Sequence, residues 1–298
     1  MNIQRASHLG MCFGVRDAIE LARREAATGP TTILGDLVHN DAVLADLRKI
    51  GVRIETQLEA VRTPRVLVTA HGTSDRTRRE ILDRGLGLLE ATCPLVHFAH
   101  QRVLELARAG FHPVIIGQRN HVEMRGLTGD LDAFDVVLEE SDVAALMPRP
   151  RFGVAAQTTQ PIARVKHLLG LLQSRFPGSE IRFADTVCMP TRQRQKAAED
   201  LATSSDVVIV IGGARSNNTR ELVHTCQHFC SRVHHIQSAD ELRPEWFSVY
   251  DTVGITAGTS TPDSMIHEVE SWLRAHAQEP AQTHVRTAVD HRELVAAP

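Results

Sequence analysis

Three cysteines, Cys12, Cys93 and Cys188, each follow a short apolar run, open a helix-like one, and head the same approximately repeated segment. The next apolar run ends in a glycine at a nearly constant offset: Gly35 follows Cys12 by 23 residues (35 − 12), Gly117 follows Cys93 by 24 (117 − 93), and Gly212 follows Cys188 by 24 (212 − 188). A further apolar run then ends in a small polar cluster, LVTAHGTS at 67–74, GVAAQTTQ at 153–160 and GITAGTSTP at 254–262. Measured to Ala70, Ala156 and Ala257, the offsets are 58 (70 − 12), 63 (156 − 93) and 69 (257 − 188), so later copies gain loop residues without losing order. Internal self-similarity sets architecture before any local signal does. The period exceeds that of a solenoid repeat, so each copy reads as a small α/β domain. The division is 1–93, 94–185 and 186–278, with a C-terminal tail at 279–298.

At 298 residues, three lobes of roughly 90 residues each would need one another to complete a core. The 42% hydrophobic and 23% charged fractions are those of a soluble globular enzyme. No apolar stretch approaches the ~20 residues that span a bilayer, and MNIQRASHLG lacks a signal-peptide apolar segment. A cytoplasmic protein with no membrane partner is expected. Net charge of −3 without a long basic run argues against nucleic acid as a partner. Five cysteines, an odd number in such a chain, point to metal or catalytic use of some rather than to a disulfide framework.

Helical periodicity marks 15–26, 96–110, 191–204 and 267–278, and β-rich runs mark 31–34, 65–69, 113–116, 152–155, 206–211 and 252–256. Such alternation predicts parallel α/β sheets, whose ligands bind beyond the carboxyl ends of the strands. The polar clusters all fall at those ends.

A helix N-terminus stabilises negative charge and lowers a thiol pKa, and GMCFGV, ATCPLV and TVCMPT each offer a cysteine that setting. Three soft ligands without a fourth suit an iron–sulfur cluster with one open iron, or a zinc site with one exchangeable position. A lone cysteine is most simply a buried small residue. Three at equivalent repeat positions are not explained that way. Cys226 and Cys230, four apart in ELVHTCQHFC with His224 and His228, belong to no repeat and read as buried packing with solvated histidines.

The strand-end clusters carry the complementary chemistry. His39 and Asn40, His71, Thr73 and Ser74, Asn120, His121 and Glu123, Thr158 and Thr159, Ser216, Asn217 and Asn218, and Thr259 and Ser260 supply imidazoles, hydroxyls and amides. With helix N-termini these donors can hold a phosphate or diphosphate without a Walker-type loop. Histidine gains a proton readily beside a polyanion. Glu123, the only acid in the clusters, is suited to donating or relaying protons, with Thr158 orienting the group protonated.

Nine strings in order, GMCFGVRDAI, VHN, AHGTS, ATCPLV, NHVE, QTT, TRQRQ, SNNT and TAGTSTPD, span nearly the whole chain. The sequence resembles the LytB/IspH family, the 4-hydroxy-3-methylbut-2-enyl diphosphate reductases. The resemblance implies a pseudo-threefold trefoil of three α/β domains around a central 4Fe–4S cluster held by Cys12, Cys93 and Cys188. It implies diphosphate binding by His39, His71, His121, Ser216, Asn218 and Ser260, with Asn217 standing in the same loop. Glu123 would deliver protons, with Thr158 and Thr159 near the substrate hydroxyl. The reaction implied is reductive dehydroxylation to isopentenyl and dimethylallyl diphosphates, the last step of the non-mevalonate route. No flavin or nicotinamide fingerprint is present, so electrons would come singly from ferredoxin or flavodoxin.

Several positions depart from the resemblance. Met11 and Phe13 flank Cys12 where relatives often carry Phe and a small residue, Asn217 replaces a frequent Ser or Gly, and Gln193 a frequent Asn. Arg125, two residues beyond Glu123, would lower that acid's pKa if it folded inward. Three rivals share parts of the pattern: a quinolinate synthase-like dehydratase, a hydrolytic zinc enzyme, and a non-catalytic iron–sulfur sensor descended from the reductase.

Overall fold

The computed structural model describes residues 1–277; the tail expected at 279–298 lies outside them. Three four-stranded sheets, every pairing parallel, divide the chain. The first is built from strands β2 (Thr31–Leu34), β3 (Arg53–Glu55), β4 (Arg65–Val68) and β5 (Gly87–Glu90), in the order β3-β2-β4-β5. The second contains β6 (His112–Ile116), β7 (Asp135–Val137), β8 (Arg151–Ala156) and β9 (Glu180–Phe183), ordered β7-β6-β8-β9. The third contains β10 (Val207–Ile211), β11 (Val233–Ile236) and β12 (Thr252–Ala257), and takes its fourth strand, β1 (Asn2–Arg5), from the other end of the chain.

The middle strands are those the sequence marks. β10, VVIVI, is buried at every position, and β8 and β12 at all but their first. A parallel strand covered by helices on both faces needs that continuous apolar run. The outer strands, such as NIQR, RIE and EIRF, are short and half polar because one edge and part of each face meet solvent.

Three helices begin at the cysteines. α1 (Phe13–Thr28) buries Val15, Ala18, Ile19 and Ala22, an i, i+3, i+4, i+7 stripe, against Ile33 and Leu67 of the first sheet. α4 (Pro94–Arg108) lays Ala99 and Val103 on Ile115 and Ala155 of the second. α8 (Met189–Thr203) lays Ala197, Ala198 and Leu201 on Val208 and Val210 of the third.

The strand preceding each cysteine, however, belongs to a different sheet from the helix that follows it. β5 closes the first sheet before Cys93, β9 the second before Cys188, and β1 the third before Cys12. Each cysteine therefore stands at a crossing between lobes. β1, counted with the first segment in the sequence division, pairs instead with β12 through the register Asn2↔Thr252 to Arg5↔Ile255. The threefold pattern requires this, because only an N-terminal strand can occupy the outer position that β5 and β9 fill elsewhere.

Removing residues 1–5 should consequently loosen the third lobe and not the first. Hydrogen exchange should show faster exchange in 252–257 with 31–34 unchanged; the opposite pattern would refute the strand exchange.

Candidate active site

The three crossings place the thiols together. The Cys12 N–H donates to the Thr259 carbonyl (3.2 Å), Cys93 to Ala70 (3.1 Å) and Cys188 to Thr158 (3.0 Å), so each is pinned to the end of a central strand of the lobe being left. Gly14, in the first turn of α1, lies so near Cys93 that a Cβ there would sit 2.5 Å from its sulfur. Only glycine permits that approach. Gly10 turns the chain at φ +73°, and its carbonyl receives both Nε and Nη2 of Arg194 at 3.0 and 2.8 Å. The Thr191 hydroxyl lies 3.0 Å from the Cys188 sulfur.

All five cysteines are free thiols. Burial raises the Cys93 pKa, with Cys12 and Glu123 adding to it and the Leu95 and Val96 amides opposing. Burial likewise pushes Cys188 up to about 11 against the Thr191 hydroxyl and amide. Such thiols keep their protons at neutral pH until a cationic centre takes the sulfurs as ligands. Three sulfurs with no fourth protein thiol beside them fit a cluster or metal that keeps one corner open. Cys226 and Cys230 are elsewhere, buried in the apolar layer between α8 and the third sheet, while His224 and His228 are exposed. Cys230 lies past the end of its helix, α9 (Asn217–Gln227).

Glu123 stands in the first turn of α5 (Val122–Thr128) and is 1% exposed. Its Oε1 accepts the Thr158 N–H at 2.7 Å. Burial pushes its pKa up to about 7, against the pull of the Thr158 amide and hydroxyl. The acid can therefore hold a proton at neutral pH and release it. Arg125, expected to lower this pKa by folding inward, is exposed and plays no part in the shift. The helix turn that buries residue 123 directs residue 125 to the opposite side.

The other end of the site is a cluster of three imidazoles. His39 and His71 stack with centroids 4.5 Å apart, His121 meets them edge-on at 4.9 and 5.4 Å, and the Nε2 atoms of His39 and His121 are 3.1 Å apart. Burial lowers all three pKa values, His121 to about 3, and mutual repulsion deepens the shift at His71 and His121. His39 precedes α2 (Asp41–Lys49), His121 caps α5, and Ser216 caps α9 by accepting the Thr219 N–H. Ser260 donates to the His39 carbonyl (3.1 Å), and Asn217 Nδ2 reaches the Thr159 hydroxyl (3.0 Å), so all three lobes meet here. Four buried polar atoms of these cluster residues have no partner among the described residues: His39 Nδ1, His71 Nε2, Asn217 Oδ1 and Asn218 Nδ2. Leaving such groups unpaired costs about 1–3 kcal/mol each. Three of them belong to groups able to donate to an anion, so a polyanionic ligand would satisfy them.

Sequence reasoning did not single out Gly14, or Arg220 near His39 and His121. Gly14 left a signal only as an unexplained glycine inside a helix; Arg220 left none, because its importance rests on what faces it.

Neutral, buried histidines carry a linkage consequence. Between their lowered pKa values and about 6.5 the unfolded chain binds more protons, so stability falls as pH drops below about 6.5. The slope is up to about 1.4 kcal/mol per pH unit for each histidine that stays neutral. Thermal melts of the ligand-free chain should show this loss, and His71→Asn should reduce it. An unchanged slope in that variant would contradict the assignment.

The profile of the LytB protein family matches residues 3–274. Over 276 residues the chain is 35% identical to the 4-hydroxy-3-methylbut-2-enyl diphosphate reductase of Geobacter metallireducens, covering 92% of this chain and 97% of that one. It is 35% identical over 275 residues to the reductase of Aquifex aeolicus, covering 90% and 94%. Among solved structures it resembles (E)-4-hydroxy-3-methyl-but-2-enyl diphosphate reductase, the terminal enzyme of the non-mevalonate pathway, with TM-score 0.67, 34% identity and coverage of 92% and 100%. It also resembles the E-1-hydroxy-2-methyl-but-2-enyl-4-diphosphate reductase of Plasmodium falciparum, with TM-score 0.85, 26% identity and coverage of 92% and 87%. The trefoil of parallel sheets, the three gathered thiols and these likenesses lead to one conclusion: the chain belongs to the LytB family.

Proposed function

We propose that this protein is a 4-hydroxy-3-methylbut-2-enyl diphosphate reductase, removing the allylic hydroxyl of its substrate to give isopentenyl and dimethylallyl diphosphates. The observation that carries the reading is the position of Thr158. Its carbonyl holds Cys188 and its N–H holds Glu123, tying the thiol end of the site to the proton-bearing end.

Cys12, Cys93 and Cys188 would hold a 4Fe–4S cluster. When bound, that group supplies a Lewis-acidic iron and one-electron transfer. The remaining work falls to the protein. His39, His71, His121, Ser216, Asn217, Asn218 and Ser260 would surround the diphosphate, and the imidazoles would gain protons as the anion enters. Fixing that end of the substrate leaves its hydroxyl end little freedom beside the thiols. Glu123, protonated in its buried position, would supply a proton at Oε, with the Thr158 hydroxyl beside it and Thr159 near the same end.

The overall change takes up two electrons and two protons. One proton leaves with the hydroxyl as water, and the other ends on one or other terminus of the allyl unit, which accounts for two isomeric products. The electrons would arrive singly from a donor protein such as ferredoxin or flavodoxin. Among the described residues no helix is long and apolar enough to cross a membrane.

Anaerobically reconstituted protein should bind about four irons and four sulfides per chain and turn over the substrate with an artificial one-electron donor. A cluster without turnover would favour the sensor reading, and zinc without iron would overturn both. Cys93→Ser should lose the cluster, whereas Cys226→Ser, altering a thiol buried away from the site, should keep it. Equal losses would remove the ligand assignment. Glu123→Gln should retain substrate binding while kcat falls roughly 10²- to 10⁴-fold. Normal turnover would move the proton relay elsewhere.

A further inference from the structure

Outside the imidazole cluster lies a cavity of about 600 Å³ between the lobes, with His39 and His121 on its wall. Three arginines also line it: Arg125 from the second lobe, and Arg215 and Arg220 from the third. They differ in how their charge is matched. Arg215 bridges to the first lobe, pairing with Asp36 (2.7 Å) and with Asp41. Arg220 Nη2 donates to the Gln118 side-chain carbonyl at 2.6 Å. Among the described residues neither Arg220 nor Arg125 has a carboxylate partner. The cavity's acids are committed elsewhere: Asp36 to Arg215, and Glu59 and Glu80 to Arg84. The charges balance in number, because Arg215 and Arg84 each meet two carboxylates, but they are unevenly placed: the two guanidiniums without a carboxylate partner lie on the side facing the imidazoles, where Arg220 acts on both His39 and His121 and Arg125 acts on His121.

The placement answers a difficulty posed by the inner site. Hydrogen-bond donors act over one contact distance, whereas attraction of a multiply charged anion from solvent needs unpaired charge on the approach to the site, felt over roughly 8 Å at physiological salt. The inner cluster is uncharged while empty, so the attraction must come from outside it. A concave mouth with low-dielectric walls focuses the field of the charges it carries.

We propose that Arg220 and Arg125 form an anion-capture station at the mouth of the cavity, receiving the diphosphate of the incoming substrate before it passes to the imidazoles. They are positioning residues, distant from the bond that breaks. Arg215, outweighed by its two aspartates, contributes less. The inference rests on the reading of the imidazole cluster as the diphosphate site.

Stopped-flow binding of inorganic diphosphate to the cluster-loaded protein over a range of ionic strength tests it, with steady-state kinetics alongside. The Arg125→Gln, Arg220→Gln double variant should associate at least about tenfold more slowly at low salt and lose most of the salt dependence. Its KM should rise with kcat retained at saturation. Arg220→Lys should restore the association rate, since steering needs charge and not a guanidinium fork, and Arg215→Gln should change it less than Arg220→Gln does. Wild-type rates and salt dependence in the double variant, a fall in kcat in place of the KM effect, or a lysine variant no better than glutamine would each overturn the proposal while leaving the diphosphate site intact. Wild-type protein that binds no diphosphate, with His39→Ala no different, would instead overturn the reading of the site itself and the capture station with it.

Discussion

The structure depends on three helices starting at one place with sulfur where a helix ordinarily starts with oxygen. Elsewhere in this chain Asn40, Ser74 and Ser216 cap helices through side-chain oxygens that accept an amide. At α1, α4 and α8 the capping position is a cysteine. Three positive helix ends brought together would repel one another, and burial makes the Cys93 and Cys188 thiols resist ionisation. Each cost would be the other's remedy if the sulfurs took up a metal centre and so carried negative charge. The buried guanidinium of Arg194, fixed on the Gly10 carbonyl, adds positive charge near Cys12 and Cys188.

That meeting point dictates the chain path. A helix that packs on one sheet while its first residue is pinned to another makes every lobe incomplete alone. The pinning bonds from Cys12, Cys93 and Cys188 to Thr259, Ala70 and Thr158 are therefore contacts between lobes as well as supports for the site. The return of β1 to β12 closes the cycle: the first strand completes the last sheet, so both ends of the described chain are held in the same lobe. Stability and site geometry share the same few bonds.

Electrostatics divides the site along its length. Burial shifts Cys93, Cys188, Glu123 and the three imidazoles each toward the uncharged form in the ligand-free protein. A site prepared in this way pays little self-repulsion while empty and acquires charge only with its ligands. Guanidiniums without carboxylate partners, Arg125 and Arg220, are kept at the cavity mouth.

The threefold repeat, the three cysteines and the middle strands were legible in the sequence because each has a local cause. A doubly covered parallel strand must be apolar throughout, as VVIVI is, and a helix stripe must recur at 3.6 residues, as in α1. The six outer strands were not marked, since three or four half-exposed residues such as RIE or NIQR carry no distinctive period. Glu123, Thr158 and the three histidines were visible as residue types at strand ends; that Thr158 joins Cys188 to Glu123 was not. The sequence by itself determined the number of lobes, the thiol positions and the family. Tertiary structure alone decided which sheet takes β1, that Arg125 turns outward, and that the imidazoles pack into mutual neutrality. Those outcomes depend on packing between segments far apart in the chain, and burial, which sets the charge of every group in the site, exists only once the lobes have closed on one another.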